Sequence, residues 1–189
     1  YAHSYISNAV DSTTFNGVTL DEGIYVMPSN ATTFNNCTFT GQLRVPSGNG
    51  TFTVKNCNFT GEKNTKKDTN GYMFHYQASG TLTFTGNTVA ADKYYRGLNI
   101  DNKELTATVS DNTIGSVTDT GRSLIQISSV VSLDITNNTL NLDGDNAFTL
   151  HAALLNCTNK PEINIKANTI NGSGYLIYDD AAANSKSFT

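Results

Sequence analysis

The chain has 189 residues and a formal net charge of −4, with 38% hydrophobic and 15% charged residues. It is too apolar for disorder, so we expect a folded protein. Its negative net charge argues against a nucleic-acid partner, since phosphate binding needs clustered Lys and Arg. The three cysteines have no CxxC spacing, which argues against thiolate metal sites. No apolar run of about 18 residues exists, which argues against membrane insertion. No cofactor is expected.

A six-residue phrase recurs along the chain at intervals of 19 to 30 residues, which is typical of stacked structural repeats. The copies alternate apolar and polar residues with period two and favour Val, Ile, Phe and Thr, as strands do. We therefore predict one all-β domain over residues 1–189, a right-handed parallel β-helix of about seven coils and three parallel sheets. The copies span 15–20, 34–39, 54–59, 84–89, 109–114, 135–140 and 165–170.

Each position of the repeat has its own predicted role. The third favours residue types that tolerate positive φ and predicts a tight corner. The fourth predicts a ladder of asparagine amides along the last four copies. The fifth is an outward column, mostly Thr, and the sixth is apolar and inward. The third and fourth positions include Gly17, Asn36, Asn56, Gly86, Asp111, Asn137 and Ala167, and the ladder residues Asn87, Asn112, Asn138 and Asn168.

A strand precedes each copy on what we call the first face, the outer surface of strands predicted at 23–28, 42–46, 72–77, 97–101, 123–128, 147–152 and 175–179. The inward residues predicted there are Ile24 and Val26, Leu43 and Val45, Met73 and His75, Leu98 and Ile100, Leu124 and Gln126, and Phe148 and Leu150. His75 and Gln126 are polar at inward positions. A local bulge that turns Phe74 and Tyr76 inward is therefore the alternative.

The loops that enter the first face vary most in length. The loop at 61–71 is the longest protrusion and carries Lys63, Lys66 and Lys67; further loops are expected at 90–96, 115–122 and 141–146, with an insertion at 151–161. Insertions in solenoids cluster on one side, often the binding side. We therefore expect binding to involve this side.

The repeats NNCTF, GNTV, DNTI and NNTL resemble those of the right-handed parallel β-helices of the pectate-lyase-like superfamily, and the resemblance covers essentially the whole chain. It implies the fold, but its members include lyases, hydrolases, tailspikes and non-catalytic adhesins. Hydrolase members carry motifs resembling NTD, DD, GHG and RIK. The only adjacent Asp-Asp pair here is Asp179-Asp180.

Geometry also weighs against a hydrolytic acid pair. Coils stack about 4.8 Å apart, whereas catalytic carboxylates lie about 5.5 or 6.5–9.5 Å apart. Asp101 is the clear outward acid of the first face, and Asp179 lies three coils away, at about 14 Å by the same spacing. A lyase would need a cationic base, for which Arg44, Lys93, Arg96 and Arg122 flank the face. His151 is a further candidate base.

Aromatic and polar residues interleave on this face and predict a sugar-stacking or protein-docking surface. We predict a non-catalytic binding or adhesion module of a secreted or surface-anchored microbial protein, extracellular or at the cell surface. It would recognise a polysaccharide, a host glycan or a host protein, with neighbouring domains or a partner chain covering the helix ends. The alternative is a polysaccharide lyase or hydrolase, and a third hypothesis is a purely structural stalk segment. The predicted surface comprises Tyr25, Arg44, Phe74, Tyr76, Tyr94, Tyr95, Arg96, Asp101, Ile127 and His151.

Two smaller patterns complete the sequence. Cys37 and Cys57 fall at equivalent inward positions, where parallel Cβ vectors disfavour a disulfide, so we predict small core residues. Thr-x-Thr pairs at 51/53, 81/83 and 106/108 resemble those of ice-binding solenoids. Ser132 and Asp134 end the pattern, and three coils form only a small patch, so ice binding is a minor expectation.

Overall fold

The computed structural model describes residues 3–8, 12–21, 23–64, 71–90, 94–115, 123–151, 154 and 160–179. It is an all-β parallel solenoid, so the predicted fold class is confirmed. Among the described residues, no helix is long and apolar enough to cross a membrane. Residues 65–70 of the predicted protrusion, Lys93, Arg122, Asp180 and Cys157 lie outside the described residues.

The strands are numbered in chain order and follow three sides of the coil. The first side holds β1 (His3–Asn8), β4 (Gly23–Pro28), β7 (Leu43–Val45), β10 (Tyr72–Tyr76), β13 (Arg96–Asp101) and β16 (Ser123–Ser129). The second side holds β2 (Ser12–Asn16), β5 (Ala31–Asn35), β8 (Thr51–Lys55), β11 (Gly80–Thr85), β14 (Leu105–Ser110), β17 (Ser132–Thr136) and β19 (Glu162–Lys166). The third side holds β3 (Thr19–Leu20), β6 (Thr38–Phe39), β9 (Asn58–Phe59), β12 (Thr88–Val89) and β15 (Thr113–Ile114).

Two long strands, β18 (Thr139–Leu150) and β20 (Thr169–Asp179), pass from the third side to the first without a break. Parallel strands on three sides were predicted and are present, but two of the sides are continuous, because β18 joins them into a 13-stranded sheet beside the 7-stranded second side. The loop predicted at 141–146 is strand instead. Its residues pair with Asn171, Gly172 and Ser173, and the register shifts between Asp143 and Asn146.

The solenoid has about four turns rather than the seven or so predicted, and its interior is not equally closed along the stack. The coils that start at β4, β7, β10, β13 and β16 enclose fully buried apolar side chains on all three sides. In the terminal coils Phe15, Leu20, Ile163 and Ile165 are only partly buried, and Ile170 is exposed. A terminal coil has a neighbour on one side only, so its apolar positions are covered less completely.

The corners behave as predicted. All seven third positions of the repeat have positive φ, from 53° at Asn36 to 68° at Gly17. The chain thereby turns from the second side to the third within two residues. Ala167 adopts this conformation at φ 57° although it lacks the polar side chain that usually eases it.

The asparagine ladder is also confirmed. Asn87 Nδ2 donates to Asn112 Oδ1 at 3.0 Å, Asn112 Nδ2 to Asn138 Oδ1 at 2.9 Å, and Asn138 Nδ2 to Asn168 Oδ1 at 2.9 Å. Each Nδ2 also donates to a main-chain carbonyl of the coil before it, as Asn112 does to Phe84 at 3.0 Å. These buried amides are satisfied by one another, which makes their burial tolerable.

Aromatic side chains stack along the core in the same register. Phe15 and Phe34 lie with ring centroids 4.8 Å apart, and Phe39 and Phe59 with centroids 4.5 Å apart, both nearly parallel. Cys37 and Cys57 are free thiols in the buried corner column, as predicted, and the Cys37 amide donates to Cys57 Sγ at 3.4 Å. Burial raises the pKa of the Cys57 thiol to about 12.

The register of β10 and β16 differs from the main prediction. Phe74 pairs with Leu43 and Leu98, and Ile125 pairs with Leu98 and Phe148, which are core positions. Tyr76 and Ile127 continue the second inward column. The alternative with Phe74 and Tyr76 inward is therefore correct for β10, but its pairings with β7 and β13 show no register shift and so no bulge. Burying Phe, Tyr and Ile while His75 and Gln126 face outward avoids placing unpaired polar groups in the core.

Candidate functional site

One polar column runs along the outer surface of the first side. Strand pairing places Tyr25, Arg44, His75, Asn99 and Gln126 next to one another in successive coils. They alternate with the inward columns, so their side chains leave the opposite surface of the sheet. Stacked strands lie about 4.8 Å apart, so these side chains follow one another closely along the solenoid axis. Asn99 is buried, and the other four are partly exposed.

Arg44 lies against Tyr25 of the preceding coil. Its guanidinium carbon is 5.4 Å from the ring centroid, and Nη1 donates to the tyrosine hydroxyl at 3.2 Å. A cation over an aromatic face is attracted by the ring quadrupole, and the hydrogen bond fixes the guanidinium plane. Both side chains are half-buried, so this pair is preorganised while part of it remains open to solvent.

Arg96, at the start of β13, lies over two tyrosine rings. Its guanidinium carbon lies 4.9 Å from the centroid of Tyr72 and 5.7 Å from that of Tyr95, and Nη1 donates to the Tyr72 hydroxyl. Tyr72 also donates to Gln126 Oε1 at 3.4 Å. Within the described residues, neither Arg44 nor Arg96 is paired with a carboxylate. The first face therefore holds two arginines ordered by tyrosines rather than neutralised by acids.

Asp101 is the acidic group of the site and lies beside His75. His75 Nε2 lies 3.9 Å from Asp101 Oδ2, and Ser129 donates to Asp101 Oδ1 at 3.0 Å. Interaction with His75 and the Ser129 hydrogen bond lower the pKa of Asp101 below its usual range, against the opposing effect of burial. The ring of Tyr72 packs on that of His75 with centroids 4.8 Å apart. The lowered pKa favours the ionised form of Asp101, which lies close to Tyr72, the hydrogen-bond partner of Arg96.

Behind these groups a hydrogen-bonded chain fixes the floor of the site. Gln126 Nε2 donates to Ser128 Oγ at 3.3 Å, and Ser128 Oγ donates to Asn99 Oδ1 at 2.9 Å. Asn99 and Ser128 are buried, so these amide and hydroxyl groups are fixed by one another rather than by solvent.

Four of the ten predicted surface residues belong to the core instead. Phe74, Tyr76 and Ile127 are fully buried because the true register turns them inward. Tyr94 is also fully buried, and its hydroxyl donates to the carbonyl oxygen of Gly41 at 2.8 Å. It therefore anchors the loop before β13 and is not a stacking platform.

The structure brings together Tyr25 with Arg44 and Tyr95 with Arg96, with Asp101 in the adjoining His75 pair. Half-buried His151 follows β18, and its amide donates to the Ile127 carbonyl at 3.0 Å. Tyr72, His75 and Gln126 were not predicted as site residues. The alternating pattern at 72–77 held the signal for His75, whereas nothing in the sequence indicated that Tyr72 folds over it.

The site contains neither an acid pair nor a metal cluster among the described residues. Asp179 pairs with Leu150, in the inward column of Ile100 and Ile127, and so does not align with Asp101. No group of three or more His, Cys, Asp or Glu side chains in the described part of the chain is arranged to hold a metal ion. Lys63, the described lysine of the 61–71 loop, is paired with Asp21 at 2.6 Å.

No protein-family model, characterised protein or solved structure matches this chain. The arrangement on the first face is therefore the basis for assigning a function.

Proposed function

We propose that this protein is a non-catalytic binding module of a secreted or surface-anchored microbial protein, and that its first face recognises a glycan or a host protein. The observation that carries this proposal is the pair of tyrosine-ordered arginines, Arg44 and Arg96, which lack carboxylate partners within the described residues. The resemblance of the repeats to pectate-lyase-like solenoids is compatible with such a role, since that superfamily includes adhesins.

The chemistry of the cluster favours a glycan over a flat apolar protein patch. Arginine presents several N–H donors in a fixed plane, and tyrosine offers an apolar ring with a polar edge, a combination that suits sugar hydroxyls and sugar faces. Asp101 adds a charged acceptor for hydroxyl groups. Because Arg44 and His75 project from neighbouring coils, successive sugar units along the axis would meet different partners.

A glycan array followed by direct titration tests this proposal. Arg44→Ala and Arg96→Ala are each expected to weaken binding by about tenfold or more, since each removes a charge-assisted hydrogen bond of about 1.5–3 kcal/mol. Lys55→Ala, which removes a cation from the outer surface of the second side, is the matched control and should bind as wild type does. Binding that survives both arginine substitutions, or no binding on either a glycan array or a host-protein pull-down, would contradict the proposal.

A polysaccharide lyase or hydrolase is the second candidate, and the His75–Asp101 pair is the observation that favours it. A histidine held beside a carboxylate is a common arrangement for a general base. Incubation with uronate polymers would then yield unsaturated or reducing-end products, and Asp101→Ala or Arg96→Ala would abolish them. If glycan is bound but no product forms over a long incubation, the binding module stands and the enzyme is excluded for those polymers.

A further inference from the structure

The outer surface of the second side presents two columns of small neutral side chains that extend further than the Thr-x-Thr pairs indicate. Register pairing places Thr14, Thr33, Thr53, Thr83 and Thr108 in one column across five consecutive coils. The neighbouring column consists of Ser12, Ala31, Thr51, Thr81 and Thr106. Eight of these ten positions are threonine and none is charged. We call this surface the threonine array.

The array is regular because its strands are. Every pairing from β2 to β14 on the second side is parallel and has no register shift. On the first side, by contrast, the register between β13 and β16 shifts between Ile100 and Asp101. Side chains two residues apart on a strand lie about 6.6 Å apart, and neighbouring strands about 4.8 Å apart. Five strands therefore hold the array over about 19 Å along the axis in a repeating two-dimensional grid.

The threonine side chains are also stiff and open to water. A β-branched side chain has few χ1 states on a strand, so its hydroxyl and methyl groups recur at fixed positions with little conformational entropy left to lose. Thr51, Thr81 and Thr106 are exposed, and Thr33, Thr53, Thr83 and Thr108 are half-exposed. None of these hydroxyls bonds to another group in the described part of the chain, whereas Thr85 in the next column bonds Ser110 at 2.9 Å.

From this geometry we infer that the threonine array binds ice. The occupant of such a surface must be neutral and must repeat in two dimensions, because the array repeats in two dimensions and carries no charge to pair. A crystalline polysaccharide meets those conditions less well, since the array contains no aromatic ring on which sugars stack. An ordered water lattice accepts and donates hydrogen bonds at each hydroxyl and fits around each methyl group.

This inference is independent of the first-face proposal, because the array lies on the second side. Charged residues mark the edges of the array. Asp134 and Glu162 follow Thr108 and Ser132 in the two columns and place charge beside the array, so the ice-binding area ends at β14. Lys55 lies in the third column and borders one edge.

Thermal hysteresis, ice-crystal shaping and incorporation into a slowly grown ice shell provide the test on the whole chain. Thr83→Lys, at the centre of the array, is expected to abolish all three activities because a hydrated ammonium group displaces the water lattice. Thr88→Lys is the matched control, since Thr88 is an exposed strand threonine of the same coil on the third side. It should retain wild-type activity. Circular dichroism spectra establish that both variants fold.

The inference is overturned if wild-type protein leaves ice growth unaltered, or if Thr83→Lys folds and retains full activity. It is equally overturned if Thr88→Lys loses as much activity as Thr83→Lys, because the effect would then come from charge in general. If Thr83→Lys fails to fold, Thr53→Lys replaces it, and Thr113→Lys serves as a second control on the third side.

Discussion

Replacing Tyr76 with phenylalanine is expected to raise the free energy of unfolding by about 1 kcal/mol, although tyrosine is the natural residue. The ring of Tyr76 is packed in the core, with centroids 5.5 Å from Phe52 and 5.9 Å from Phe74. Its hydroxyl oxygen is buried and has no hydrogen-bond partner among the described residues. Burial raises the pKa of this tyrosine, so the group stays neutral.

The magnitude follows from two opposing effects. A buried hydroxyl without a partner costs about 1–3 kcal/mol of lost hydration, which phenylalanine avoids. Removing one oxygen leaves a void that costs about 0.3 kcal/mol, at roughly 24 cal/mol per Å³. The first effect is larger, so the variant should be the more stable protein.

Tyr94→Phe also removes a tyrosine hydroxyl, but this one has a partner, since it donates to the Gly41 carbonyl at 2.8 Å. It is expected to lower the free energy of unfolding by about 1 kcal/mol. Urea unfolding followed by circular dichroism, with midpoints compared at equal slopes, measures both variants. The reasoning is refuted if Tyr76→Phe unfolds at lower urea than wild type while Tyr94→Phe does not.

Three further outcomes are expected. Asn112→Ala should lower the free energy of unfolding by about 3 kcal/mol or more, since it removes several buried hydrogen bonds. The loss should be larger than that of Asn168→Ala in the less buried terminal coil, and equal urea midpoints for the two variants would contradict this. The Cys57 thiol, with its pKa raised to about 12, should resist alkylation at pH 8 until urea unfolds the chain, as peptide mass spectrometry would reveal, and rapid labelling of native protein would be inconsistent with its burial. Because the pKa of Asp101 is lowered in the folded state, its contribution to stability is present above about pH 3.9, the usual aspartate pKa, and is lost as the pH falls further. Asp101→Asn should therefore flatten the acid limb of stability against pH, and an unchanged limb would count against the interaction with His75.

The corners and the ladder could be predicted from the sequence because each depends on chemistry confined to one repeat. Asn137 adopts φ 58° next to Asn138, whose amide bonds the equivalent asparagine of the following coil. Conformational tolerance and hydrogen-bonding capacity are properties of the residue type, so seven aligned copies were sufficient to identify both roles.

The register of the first side could not be predicted in the same way. Around Met73 and Phe74, and again around Leu124 and Ile125, both alternating sets of residues include large apolar side chains, so the period-two pattern fits either orientation. Packing against Leu43, Leu98 and Phe148 decides the outcome. For this reason Phe74, Tyr76 and Ile127, which were predicted on the surface, lie in the core.

The continuity of β18 had no sequence signal either. Residues 141–146 contain Asn, Asp and Gly, which are typical of turns. Pairing with the equivalent residues of β20 overrides that preference, and Gly144 accommodates the bend with φ 78°. A contact between coils, and not local propensity, makes this segment a strand.

The asparagine ladder gives the stack a polarity. Every Oδ1 accepts from the main-chain N–H of the coil before it, from Cys57 donating to Asn87 at 2.8 Å through to Asn138 donating to Asn168 at 2.9 Å. At the other end of the column, the Cys57 sulfur replaces the amide oxygen as acceptor for Cys37. Coils of this protein are therefore not interchangeable building blocks. A designer who shuffles them, or appends one after Asn168, must supply a side-chain acceptor on the following coil at each junction, and a coil bearing valine at that position, such as the one containing Val18, can serve only as the first.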